Sequence, residues 1–177
     1  MRFDEFMHES GVGVHPADVL PGFVVDVGAQ PGWALLNSAV GLRVWICRTD
    51  PCFDEFCANA VLTMHRVEAV LDAGEVFGML VDQQVQGVPG CREVFRGLVA
   101  ATEGPGVVGS LVMEITHERG TIDGLSTTRI VTTEQETHIA QLTVTALRRS
   151  PMERDGVWLT VRTGVPPDRV REVSDVG

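Results

Sequence analysis

The sequence predicts an α+β fold, an antiparallel β-sheet with one main helix packed across it and short helices near the termini. Three observations carry this. First, Leu125–Thr133 and Thr137–Leu147 are rich in Thr, Val and Ile, residues that lose little rotamer freedom on a pleated surface. Glu134-Gln135-Glu136 between them is polar and short enough to turn a hairpin. Second, Val76, Phe77, Leu80, Val81 and Val85 recur at helical spacing within Asp72–Gln86. Third, the other apolar runs are short and joined by short loops, the pattern of antiparallel neighbours in one sheet.

Taken in order, Phe3, Phe6 and Met7 form the apolar stripe of a short helix ending near Ser10-Gly11. Val12–Pro21 reads as an irregular connector. Phe23–Val27 is a short strand, and Gln30-Pro-Gly-Trp33 a turn that delivers an indole to the core. Leu42–Cys47 is the next strand and Arg48–Phe56 a loop around Asp50-Pro51. Cys57–Val67 is a strand candidate, with helix as the rival because Ala, Leu and Met also suit helices. Asp72 is placed to cap the main helix, and Gly87-Val-Pro-Gly90 to stop it. Cys91–Ala100 and Val107–Thr116 are strands joined at Gly104-Pro-Gly106; the hairpin follows Gly120–Gly124. After a polar loop, Val157–Arg162 is a further strand, and Pro166-Pro167 opens a short final helix through Arg171. The tally is seven or eight strands in one domain over residues 1–177, long enough to bury a core.

The hairpin also carries the candidate binding residues. On its second strand the even positions His138, Ala140, Leu142, Val144 and Ala146 are mostly apolar, and the odd ones mostly polar. Odd numbering in both strands places Thr127, Arg129, Gln141, Thr143 and Thr145 on one side. A merely solvated face favours Lys and Glu. Hydroxyls and amides contact a partner at lower desolvation cost, so the face is either a binding surface or is covered by the chain's own termini.

Composition narrows the function. The net charge is −10, with 24 acidic against 14 basic residues, which disfavours nucleic acid and anionic membrane surfaces. The apolar fraction of 44% is that of a soluble globule, and no apolar run approaches a membrane span. The acidic N-terminus has no apolar leader segment, pointing to a cytoplasmic chain or one exported without a standard signal peptide. Cys47, Cys52 and Cys57 flank the Asp50 loop, but His65 stands roughly 26 Å along an extended strand from Cys57, too far to share a metal. Reduced, partly buried thiols and no metal are expected. The acidic side chains Asp50, Asp54 and Glu55 read as a solvated loop. His138, on the apolar face, reads as a hydrogen-bonded core or edge histidine. No HExxH pair, nucleophile elbow or phosphate loop is present, so the residues point to no enzyme and no cofactor.

From Phe3 to Leu147 the chain resembles the LpqN-type lipoproteins of mycobacteria. The matching features are Phe3-Asp-Glu-Phe-Met-His-Glu-Ser-Gly-Val12, similar to that family's opening helix; Pro31-Gly-Trp33 after a short strand; and Asp72–Gln86 with its exit Val88-Pro-Gly90. The strand pair 107–116 and 125–147 follows in the same order. The lipoprotein leader and acylated Cys are missing, and Met152–Val176 reads as loop, strand and short helix where that family closes with a helix. The resemblance implies a PsbP-like antiparallel sheet of about seven strands. It also implies a non-enzymatic binding or accessory module linked to envelope proteins or lipids, its partner a protein or an apolar small molecule. Self-association is compatible with it. The alternative is a cytosolic chaperone or adaptor for a secretion system, a role PsbP-like domains also serve.

Overall fold

The hairpin predicted from the Thr- and Val-rich runs lies in the middle of the sheet. The structure is a computed structural model that describes residues 1–166. Its elements are α1 (Phe3–Ser10), β1 (Val14–Pro16), β2 (Phe23–Ala29), β3 (Trp33–Ala39), β4 (Leu42–Cys47), β5 (Asn59–Val67) and α2 (Ala73–Gly87). They continue with β6 (Cys91–Ala100), β7 (Val107–His117), β8 (Gly120–Thr132), β9 (Thr137–Leu147) and β10 (Val157–Thr163). The main sheet runs β3-β4-β5-β9-β8-β7-β6, with β1 also on β5. All its pairings are antiparallel. The α+β class therefore stands.

The expected sheet of about seven strands stands too, with seven in its path and β1 beside β5. The total of seven or eight does not: among the described residues ten strands form, and β2 pairs with β10 in a separate two-stranded ribbon. β3 shares only Trp33 with the expected Gln30–Trp33 turn and its other residues carry no expectation, while β1 falls within the expected irregular connector. β3 is Trp-Ala-Leu-Leu-Asn-Ser-Ala, poor in β-formers; its pairing with β4 makes it a strand. β8 also begins at Gly120, where a loop was expected, because its first residues pair with the end of β7. The helix expected from Pro166-Pro167 lies outside the described residues.

The main sheet is sandwiched. On one face α2 buries Val76, Phe77, Leu80 and Val81, and α1 buries Phe3 and Met7, against Leu111, Met113, Ile130 and Ile139. Asp72 caps α2 by accepting the Glu75 N–H at 2.9 Å. The Phe77 ring packs against Gly109, where a Cβ would stand 2.3 Å from it. On the other face the ribbon packs Val25, Val27, Val157 and Leu159 onto Ala60, Leu62, Ala140, Leu142 and Val144. The even face of β9 was expected to be covered; its odd face is half covered as well, by the two helices. Each buried Leu, Val or Phe contributes roughly 1.5–3 kcal/mol.

Candidate functional site

A single turn residue decides which side chains share a face. Thr132 pairs with Thr137, so the turn spans Thr133–Glu136 instead of the three residues expected. Thr133 leaves the ladder because its hydroxyl oxygen accepts the N–H groups of Gln135 and Glu136 at 3.3 and 3.0 Å. One more residue in the turn moves every partner by one, and a one-residue shift exchanges faces. Odd residues of β8 thus stand opposite even residues of β9. The five candidate residues do not share a face. Gln141, Thr143 and Thr145 face the helices, across from Thr128, Ser126 and Gly124. Thr127 and Arg129 stand across from Leu142 and Ala140, on the ribbon side.

On the helix side a cavity of about 410 Å³ opens between α1, α2 and the sheet. Its apolar walls are Phe3 and Met7 of α1, Leu80 of α2, Val14 of β1 and Ile139 of β9. Its polar groups are Asp4, Thr63, His65, Gln83 and Gln141. The α1 stripe at i and i+4 turns Phe3 and Met7 inward, and the Asp4 N–H donates to Gln83 Oε1 at 2.8 Å, tying the helices together at the mouth. Antiparallel register brings His65 opposite Ile139 and Thr63 opposite Gln141.

Behind Gln141 lies a hydrogen-bonded network. Gln141 Nε2 donates to Thr128 Oγ1 at 2.9 Å and to Gln84 Oε1 at 3.4 Å. Gln84 Nε2 donates to Thr143 Oγ1 at 2.9 Å, and Thr143 Oγ1 donates to Ser126 Oγ at 3.1 Å. Thr145 Oγ1 reaches Asn59 Oδ1 at 3.1 Å. Gln141, Thr143 and Thr145 are half-buried, Ser126 and Thr128 fully buried. Such a network fixes the amide of Gln141 at the cavity wall. Burial pushes the His65 imidazole below its ordinary value, so it is neutral at pH 7. The cavity can hold an apolar body and offer it the hydrogen-bonding groups of Thr63, His65, Gln83 and Gln141; the charged group of its lining, Asp4, is paired with Arg2 at 2.7 Å. Gln83, Gln84 and α1's place over the sheet were not read from the sequence; the α1 stripe was its only signal.

No family model matches the chain, and no curated protein matches it in sequence. Among solved structures, the chain is similar to LpqN of Mycobacterium tuberculosis, described as involved in cell envelope biogenesis. The identity is 14% and the TM-score 0.68, with 84% of this chain and 86% of that one covered. At that identity the likeness is one of fold. Human STARD10 is matched at a TM-score of 0.30 and 10% identity, over 71% of this chain and 65% of that one, which carries no argument.

The loop between β4 and β5 departs from expectation. Asp50 is buried, not solvated, at 4% exposure. Its carboxylate accepts the N–H groups of Cys52 and Ala58 at 3.0 and 2.8 Å and the Ser150 hydroxyl at 2.7 Å. Asp54 and Glu55 are exposed. The thiols occupy different surroundings: Cys47 packs with Ala58 and Ala146, Cys52 with Ile122 and Leu147, and Cys57 Sγ donates to Cys47 O at 3.7 Å. Cys57 is pushed up by burial and by nearby Asp50, and Cys91 by burial, so both stay protonated at neutral pH. His138 is buried; its Nε2 meets Glu136 Oε2 at 2.9 Å and its ring stands edge-on to Phe23.

Proposed function

We propose that the protein is a non-catalytic binding module that holds a small apolar or amphipathic molecule between α1, α2 and the sheet. The observation that carries this reading is the cavity itself. It has the size of a small-molecule site, apolar walls from α1, α2, β1 and β9, and polar groups among which Gln141 is held in place by a network. The neutral state of His65 suits an uncharged occupant. The likeness of fold to LpqN supports an accessory role in the cell envelope, with an envelope lipid or lipid-like molecule as the occupant.

Titration with the neutral fluorophore N-phenyl-1-naphthylamine tests this reading. Saturable binding to the wild type is expected, with loss of at least about tenfold in affinity in Val14→Phe, which fills the cavity from its β1 wall. Circular dichroism checks that the variant is folded. Absence of saturable binding, or equal binding by the folded variant, would overturn the reading.

A further inference from the structure

The ribbon side of the sheet holds a second cavity, of about 350 Å³, between the Gly104-Pro105-Gly106 turn, β7, β8 and β10. Arg129 lines it. This side chain is only 5% exposed, yet among the described residues it pairs with no carboxylate. A guanidinium carries five N–H donors. Here Nη2 donates to Pro105 O at 2.6 Å, and the buried Nε has no partner among the described residues. Desolvation pushes the arginine below its ordinary value. A buried charge is costly unless it is paired.

The surroundings have the form of a receptacle. Gly104 lies against β10 in a left-handed conformation (φ 76°), where a Cβ would stand 2.0 Å from Val161 O and 3.3 Å from Arg129 Nη2. The turn can therefore fold close over the guanidinium only as glycine. Val108 and Leu159 supply apolar walls, which strengthen a charge interaction. A second cation, Arg162, lines the same cavity; its contact with Asp26 is loose, at 3.8 Å between side chains that are both about two-thirds exposed.

We propose that the Arg129 cavity is an anion site that takes one carboxylate or phosphate group. The planar guanidinium offers N–H groups to a pair of oxygens, and Arg162 adds attraction from the rim. Glu103 also lines the cavity and is exposed; its charge opposes an anion, so its removal is expected to tighten binding.

Calorimetric titration with sodium phosphate and with sodium acetate, against sodium chloride at matched ionic strength, tests the site. Wild type and Glu103→Gln are expected to bind one of the two probes, the variant at least as tightly. Arg129→Met keeps the side-chain bulk without the charge and is expected to lose affinity at least about tenfold. Residues 167–177 contain Asp168, Glu172 and Asp175. If the chain supplies the anion itself, the wild type is silent and the full-length triple variant D168N/E172Q/D175N binds the probe. Silence in both chains overturns the proposal. So does binding that persists in Arg129→Met, or binding lost in Glu103→Gln.

Discussion

Three single side chains carry consequences that are directly measurable. Glu136 accepts from Arg66 Nη2 at 2.6 Å and sits 2.9 Å from His138 Nε2. These bonds, Arg66 first, pull its carboxyl from an ordinary 4.5 to about 2. A carboxyl lowered by folding contributes stability that is complete above its unfolded value and is lost as pH falls toward its folded one. Denaturant melts are expected to show a loss between about pH 4.5 and 2 that is smaller in Glu136→Gln; parallel losses in both proteins would assign no role to the pair. Asp50 satisfies two buried N–H groups and a hydroxyl, so Asp50→Ala is expected to destabilise the fold by about 3 kcal/mol or more in the same melts. A change under about 1 kcal/mol would show that water replaces the carboxylate. His65 is lowered by burial and faces the helix-side cavity. Its proton is gained only below its ordinary 6.5, and a charge there opposes an apolar occupant. Affinity for a neutral probe is expected to be flat from about pH 8 to 6.5 and to fall below that, with the fall absent in His65→Gln.

At the scale of elements, the sequence made local pattern legible and left long-range pairing hidden. The α2 stripe, its Asp72 cap and the ends of β4 and β6 follow from periodicity and capping chemistry. β5 emerged as the strand, not the helix, because antiparallel partners on both sides demand an extended chain. β3 lacks that local signal and exists through β4, while the β2–β10 ribbon joins residues more than a hundred positions apart, which no periodicity reports. The face assignment failed on Thr133, whose hydroxyl turns it out of the ladder and exchanges the faces of β8 relative to β9. Packing of α2 rests on Phe77 over Gly109, so Phe77→Ala is expected to cost about 3–5 kcal/mol. A loss under about 1 kcal/mol would contradict the observed register of α2.

At the scale of the molecule, the two layers on the central sheet create two different environments. The helices leave a cavity that combines apolar walls with hydrogen-bonding side chains and the Arg2-paired Asp4, and the ribbon leaves a smaller one with a buried cation. No helix among the described residues is long and apolar enough to cross a membrane. The central claim is that the helix-side cavity is the binding site. Methyl-resolved NMR of the protein with and without N-phenyl-1-naphthylamine tests it most directly. The account predicts shifts concentrated at Met7, Val14, Leu80 and Ile139, the methyl-bearing walls of that cavity. Shifts confined to the ribbon or to the exposed edge residues Leu35, Leu36 and Val99, or no shifts at all, would contradict it.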